Sequence, residues 1–390
     1  MPKIPKVILL IERSRAFGRG LLHGIVHYSN LHGFWLFYMK PEFYRQGKEK
    51  SEKWLKDMKA DGIIAHTWDT GFINNIIKLK LPAVICGLEK PKQNACCLFT
   101  DEATVGQMAA EYFLERGFKQ FAFCGFDDMI WSRQKGDGFV RTLSRFGFEA
   151  FVYRQPKAKY LRKPDKEQNL IAQWLKSLPK PVALMACNDD RGIEVLAACK
   201  IAGLNIPDQV ALLGVDNDEL ICNFCHPQLS SIALSTKKAG YRAAYLLDKM
   251  IRGKKKIREE EKKVIILPLH VVTRQSTEII AIEDPLVADA VKFIHNHSKE
   301  MIQVGDVAEA AGLSRRALEQ RFRKELKRSV HEEIKYNRVN QMANMLTGTN
   351  LSVLQIARLL GYPHARNISR YFKQQKGISP LNYRKNFGPK

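Results

Sequence analysis

Through the first 280 residues short apolar runs alternate with stretches of helical periodicity, and this alternation restricts the fold more than any other feature. The runs VILLI, GIIA, AVIC, FAFCG, ALMAC and VALLGVD are strand-sized, whereas GLLHGIVHYS, FINNIIKL, FVRTLSRFG and GIEVLAACKIAG repeat apolar residues at three- and four-residue spacing. Strand then helix, repeated, implies βαβ units and a parallel, doubly wound sheet, because a parallel neighbour needs a crossover long enough to hold a helix. The units are too many for one sheet of ordinary size, so two α/β lobes are expected. The length of 390 residues independently asks for two or three domains.

The pattern changes between residues 276 and 285. A charged run, GKKKIREEEKK, reads as an exposed loop before a last strand, VIILPLHVV. Glu283-Asp284-Pro285 then gives a helix-start signal, with Asp284 as N-cap and Pro285 in the first helical position. Beyond it only helix is expected. The reading is thus a sensor-sized α/β domain over 1–277, a linker over 278–285 and an all-α domain over 286–390.

Charge is distributed unevenly across this boundary. The net charge is +23, and from Leu286 onward there are 19 Lys and Arg against 8 Asp and Glu. No acid follows Glu333, whereas ten basic residues do. Such a stretch is an electrostatic footprint for phosphate backbones or anionic lipid.

Helical periodicity shows how the charge is presented. In GLSRRALEQRFRKEL a tight turn at Gly312 leads to Ser314 as N-cap; Leu318, Phe322 and Leu326 share one face, and Arg316, Gln320 and Arg323 point the other way. The pattern recurs in LSVLQIARLLGYPHARNISRYFKQQKG, with Ile368, Tyr371 and Phe372 inward and Arg366, Arg370 and Lys373 outward. Two helix-turn-helix units are therefore expected, at about 302–326 and 352–376. Between them HEEIKYNRVNQMANML can form a helix about 24 Å long, a spacing comparable with one turn of B-DNA, about 34 Å. Duplex DNA is the expected partner. Arg316, Gln320, Arg366 and Arg370 suit base edges, since Arg pairs bidentately with guanine and Gln with adenine; Arg315, Arg323, Lys324 and Lys373 suit phosphate. The basic faces lack the opposing stripe an interfacial helix buries in lipid, so a membrane surface is the weaker fit.

Other signals exclude classes of function. No apolar run reaches the roughly 18 residues of a membrane span and no export signal is evident, so a cytoplasmic protein with free thiols at its eight cysteines is expected. Cys222-Asn-Phe-Cys225-His226 has the spacing of a haem-attachment motif, but a plain loop is the better reading without export, and a zinc site would lack its fourth ligand. Gly18-Arg-Gly20 lacks the rest of a phosphate loop. No G-x-S-x-G elbow or H-E-x-x-H helix is present, so no enzyme, cofactor or metal is expected.

Two resemblances sharpen this reading. The C-terminal hundred residues resemble the AraC/XylS-type DNA-binding domain, whose Gly-aromatic, Phe-Lys and Gly-x-Ser-Pro-x-x-Tyr-Arg signature is matched by GYPHARNISRYFKQQKGISPLNYR; Ile368 and Lys376 stand where that family usually has aromatics. The first 275 residues resemble the sugar-binding core of LacI/GalR regulators, through ADGIIA, FTDEATVGQMAAEYFLERGFKQFAFCG, ACNDD, GLNIPDQVALLGVDND, PQLSSIAL and RQST. The resemblance implies a two-lobed, periplasmic-binding-protein-like (type I) sensor with its sugar in the cleft between the lobes. Since the core starts at Lys6, the N-terminal DNA-binding unit usual in such regulators is expected to be absent. Carried across residue by residue, the sugar contacts are Asn188, Asp189 and Asp216, with Lys135 in place of the family's cleft arginine, Arg133 nearby, and Phe17 stacking on a sugar face. The joined architecture is a narrower resemblance than either half. It implies a homodimeric transcription regulator, an activator recruiting RNA polymerase, with D-xylose as the first choice of effector and other pentoses or hexoses open. The alternative from another class is a sugar-binding protein whose basic tail binds RNA.

Overall fold

Runs such as AVIC, FAFC and VALMA are buried at every residue, the signature of parallel strands covered on both faces. The computed structural model describes residues 4–387 apart from 40–54, 56, 89, 159, 161–162, 254–256, 280–281, 283, 299, 327 and 363. Of the expectations above, Glu283 and parts of the linker and of the charged run 253–263 lie outside the described residues. The chain divides into two units, residues 1–101 with 234–268, and residues 102–233 with 269–390.

The first unit holds a six-stranded sheet. Its strands are β1 (Lys6–Leu10), β2 (Leu36–Met39), β3 (Gly62–His66), β4 (Ala83–Cys86), β5 (Ala95–Thr100) and β11 (Lys263–Ile266), in the order β11-β5-β4-β3-β1-β2. Every described pairing in it is parallel. Helix α1 (Ala16–His32) follows β1, and α2 (Thr70–Lys78) follows β3.

The second unit repeats this plan. Strands β6 (Phe121–Cys124), β7 (Ala150–Val152), β8 (Val182–Ala186), β9 (Val210–Val215), β10 (Ser230–Leu234) and β12 (Pro268–Val272) run in the order β12-β10-β9-β8-β6-β7. Helix α3 (Glu102–Glu115) precedes β6, α4 (Ile130–Arg145) follows it, α5 (Pro164–Ser177) follows β7, α6 (Asp189–Ala202) follows β8 and α7 (Glu219–Phe224) follows β9. Sequence order reverses at β6, so a crevice opens beyond the carboxyl ends of β6 and β8, where open α/β sheets bind ligands.

The run VIILPLHVV, expected as one strand, is two strands in different sheets. Leu267 is taken out of both ladders: its N–H donates to Ser235 Oγ at 2.8 Å and its carbonyl accepts from Ser235 N–H at 2.9 Å. Pro268 follows with no N–H to offer. The plain loop expected around Cys222 contains the short helix α7; Cys222 and Cys225 are buried and His226 is exposed. Three strands, β2, β5 and β7, have no counterpart among the strand-sized runs named above, and β10 lies inside PQLSSIAL, quoted only for the resemblance. Two of them are edge strands only half buried, and β10 opens on Ser230 and Ser231.

After α8 (Thr236–Ile251), which belongs to the first unit, the chain ends in seven described helices: α9 (Pro285–Asn296), α10 (Val304–Ala310), α11 (Arg315–Leu326), α12 (Val330–Gly348), α13 (Val353–Leu359), α14 (Ala365–Lys376) and α15 (Pro380–Phe387). Asp284 caps α9 by accepting from Leu286 N and Val287 N, with Pro285 opening the helix. Two apolar cores form here. Leu318 and Phe322 of α11 meet Val307 of α10, Val291 of α9 and Val330 and Ile334 of α12; Ile368 and Phe372 of α14 meet Ile356 of α13 and Val339, Met342 and Leu346 of α12. The 19 residues of α12 therefore serve both cores. Among the described residues no helix is long and apolar enough to cross a membrane.

Candidate functional site

The polar site of the second unit is assembled by strand ends. Lys135 stands on α4 beyond β6, Asn188 and Asp189 follow β8, and Asp216 follows β9. Lys135 is 4% exposed, yet it is an ammonium, so burial must be compensated. Its Nζ donates to the Cys187 carbonyl at 3.1 Å and pairs with Glu102 Oε2 at 3.4 Å, and it lies 4.8 Å from the centre of the Trp131 ring. Burial works against the charged lysine, but the carboxylates of Glu102 and Asp216 outweigh it and hold its pKa above the ordinary value.

The three remaining residues play different parts. Asn188 is the N-cap of α6: its Oδ1 accepts from Arg191 N at 2.9 Å, while its side-chain NH2 makes no hydrogen bond among the described residues. Asp189 is fully committed to the protein, Oδ1 accepting from Ser231 Oγ at 2.5 Å and Oδ2 from Asp218 N at 2.7 Å. Burial, with the nearby charge of Asp216, pushes its pKa well above the carboxylate range. Asp216 accepts no hydrogen bond at its carboxylate among the described residues. Its φ is +100°, followed by +48° at Asn217, a left-handed turn that side chains other than glycine resist. Burial pushes Asp216 up to about 7, against the opposing pull of Lys135. An acid with free acceptor capacity beside a buried ammonium can take hydroxyl protons while the ammonium donates to hydroxyl oxygens.

Groups around this cluster fix its shape. Arg274 donates to the Leu229 carbonyl and to Asn217 Oδ1, both at 2.9 Å, bracing the strained turn. Arg191, 1% exposed, ties the Gly125 carbonyl beyond β6 to Glu167 of α5 at 3.1 and 2.6 Å. Arg133 is exposed and donates to the Asp127 carbonyl.

Phe17 belongs to the first unit. It is the second residue of α1, half buried, with its ring 4.8 Å from that of His66. Burial lowers the His66 pKa to about 4, which keeps that imidazole neutral and lets the two rings pack.

The basic residues of the helical tail lie as their periodicity requires. Arg315, Arg316, Gln320, Arg323 and Lys324 are exposed on α11, and Arg366, Arg370 and Lys373 on α14. Leu318, Phe322, Ile368 and Phe372 beneath them are wholly buried. Each helix pair turns at a glycine in the left-handed region, Gly312 at φ +64° and Gly361 at +80°, where a side chain would be strained. Lys376, standing for an aromatic, has its pKa lowered by burial and donates to Asn340 Oδ1 at 2.8 Å. Glu319 is held by a bond from Val330 N at 3.4 Å, which places it at the start of α12.

Comparison with known proteins agrees with both halves. A periplasmic binding protein-like domain matches residues 110–277, and a helix-turn-helix domain matches residues 307–386. The xylose operon regulatory protein of Haemophilus influenzae is 28% identical over 389 residues, 98% of each chain; that of Escherichia coli K12 is 27% identical over 392 residues, 97% of this chain and 96% of its own. The chain is similar to the xylose operon regulatory proteins over nearly its whole length. The solved structure of the xylose-binding transcription activator xylR is 26% identical, covers all of both chains and gives a TM-score of 0.61. These relatives are named as regulators of transcription, and in this chain a binding-protein-like α/β domain is followed by helix-turn-helix units.

Sequence reasoning brought Lys135, Asn188, Asp189 and Asp216 into one neighbourhood but missed Glu102, Trp131, Ser231 and Arg274. Glu102, Ser231 and Arg274 lie inside the family-like runs FTDEATVG, PQLSSIAL and RQST, so the runs were the available signal; nothing local distinguishes Trp131 from an ordinary helix residue.

Proposed function

We propose that the protein is a cytoplasmic, sugar-responsive transcription activator that takes D-xylose in the sensor domain, residues 1–277, and binds duplex DNA through residues 286–390, joined by a linker over 278–285. The observation that carries the sugar half is the buried ammonium of Lys135 within electrostatic reach of Asp216, whose carboxylate accepts no hydrogen bond among the described residues. In this reading Lys135, Asp216 and the Asn188 NH2 meet sugar hydroxyls, and Asp189 stands behind them, since both its oxygens are engaged. Phe17 offers a ring for an apolar sugar face. The near full-length likeness to xylose operon regulators supports xylose over other pentoses and hexoses.

The DNA half rests on two exposed basic helices over two separate cores. Arg316, Gln320, Arg366 and Arg370 read base edges, and Arg315, Arg323, Lys324 and Lys373 contact phosphate. A homodimer and recruitment of RNA polymerase complete the reading. For sugar to change DNA binding, it must bind one state of the sensor better than another.

Thermal unfolding of the full chain against a panel of pentoses and hexoses tests the first half. A sugar at 100 times its Kd adds about 2.7 kcal/mol and raises the Tm visibly. A rise with xylose alone supports the reading, a rise with another sugar replaces the effector, and no rise with any sugar removes the sensor assignment. Footprinting on duplex DNA against single strands and RNA tests the second half; preference for RNA would reassign the tail.

A further inference from the structure

Helix α3 begins and ends on polar contacts. Its first residue, Glu102, pairs with Lys135 Nζ at 3.4 Å. Its last residue, Glu115, receives a short hydrogen bond from Tyr336 Oη on α12, and the Glu115 carbonyl accepts from Arg328 Nη2 at 2.9 Å. The 14 residues of α3 span about 20 Å at 1.5 Å per residue.

Packing makes α3 follow α4, which carries Lys135. At Gly106 an added Cβ would lie 2.1 Å from the Lys135 carbonyl and 2.5 Å from Phe139 N; at Gly138 it would lie 2.4 Å from the Ala103 carbonyl. Backbones this close leave no side-chain layer to absorb a shift, so the two helices move as one body. At the far end α12 belongs to both helix-turn-helix cores. A displacement of Tyr336 is therefore delivered to both basic helices.

We propose that α3 is the connecting rod between the sugar site and the DNA-binding helices, with Glu102 as the residue that holds Lys135 in position and the Glu115–Tyr336 bond as its output. The inference rests on the proposed sugar site. The output end is a polar seam with a cavity of about 220 Å³ lined by Glu111, Glu115, Tyr336, Asn340 and Lys376, among others. Burial brings Glu115 up to about 7 although the Tyr336 bond opposes it. Two neighbouring bonds to β12, Tyr383 Oη to the Leu269 carbonyl at 3.2 Å and Thr347 Oγ1 with His270 Nδ1 at 3.2 Å, anchor the seam to that strand.

The test is a linkage measurement on the full chain. The probe DNA is a duplex selected by the wild-type protein from a random pool, and the sugar is whichever stabilises the wild type. Coupling is the factor by which sugar changes DNA affinity, and it equals the factor by which DNA changes sugar affinity. Tyr336→Phe and Glu115→Gln are expected to bind sugar with the wild-type Kd, which also shows that they fold, while the coupling factor falls close to one. Thr347→Val, which removes an anchor outside the rod, is expected to keep most of the coupling. If both seam variants bind sugar normally and retain wild-type coupling, or if Thr347→Val loses as much as they do, the rod is overturned. A variant that loses the sugar as well is replaced by its partner in the pair; if both lose it, the seam is structural and the proposal fails. Should the wild type bind no sugar, the sensor reading fails first and takes the inference with it.

Discussion

The two charged regions of this protein solve opposite problems. In the sensor, Lys135, Glu102 and Asp189 are buried and Asp216 is half-buried, Lys135 pairs with Glu102, and the pKa values of Lys135, Asp189 and Asp216 are displaced. On α11 and α14 the basic residues stand in solvent above apolar cores. The difference teaches that charge is used in two ways. A buried charge gives large, specific and pH-dependent effects; an exposed one contributes a small, additive share of a salt-dependent attraction.

The largest expected effect breaks the buried side. Lys135→Ala leaves the Glu102 carboxylate buried without its cation and should cost about 3–5 kcal/mol of stability together with sugar binding. Lys135→Arg keeps the charge and should cost much less. Denaturant unfolding of both variants checks this, and a fully stable Lys135→Ala protein would show that the cluster is not the electrostatic unit described here.

On the exposed side the residues proposed to read bases come next. Arg366→Ala should weaken binding to the selected duplex by about 1–3 kcal/mol and relax preference at one or two positions. Binding-site selection repeated with the variant would reveal an unchanged preference if Arg366 touches only phosphate.

Asp216 sharpens the comparison through pH. Its carboxyl keeps its proton up to about pH 7 in the folded protein, far above its ordinary value of 3.8. Its contribution to stability therefore falls as pH rises from about 4 to 7, since the unfolded chain ionises first and the folded site must ionise while buried. Sugar affinity has the opposite slope if the ionised form accepts hydroxyl protons: it should drop up to about tenfold for each pH unit below 7. Titrations between pH 5.5 and 8 measure it, and a flat Kd together with an unchanged profile in Asp216→Asn would remove Asp216 from the acceptor role.

The smallest effect belongs to Lys373, the proposed phosphate contact. Lys373→Ala should weaken all duplex sequences alike and lower the slope of log affinity against log salt by about one, while sugar affinity shows no comparable salt slope. A sequence-dependent loss at Lys373 would move it to the base-reading set.

Some of this was legible early because it is local. A helix places residues i and i+4 on one face whatever surrounds it, so Leu318 and Phe322 inside, with Arg316 and Gln320 outside, followed from spacing alone. The N-cap at Asp284 and the turns at Gly312 and Gly361 are equally local, each requiring one residue type at one backbone conformation. Asp216 was reached through a run resembling a known sugar-binding core and Lys135 as the counterpart of that family's cleft arginine, while Glu102 and Arg274, inside two other runs of the same resemblance, went unmarked.

What the sequence by itself determined is therefore the alternation of strand and helix, the break to an all-helical tail and the face each basic residue occupies, since these depend on periodicities of a few residues. Only the tertiary structure decided that VIILPLHVV feeds two sheets, that Asp189 is spent on Ser231 and Asp218 while Asp216 remains open, and that Glu115 meets Tyr336 across 221 positions of chain. Those outcomes depend on which groups are brought together out of water. A buried charge takes its partner from the packing around it, and one-dimensional spacing holds no record of that choice.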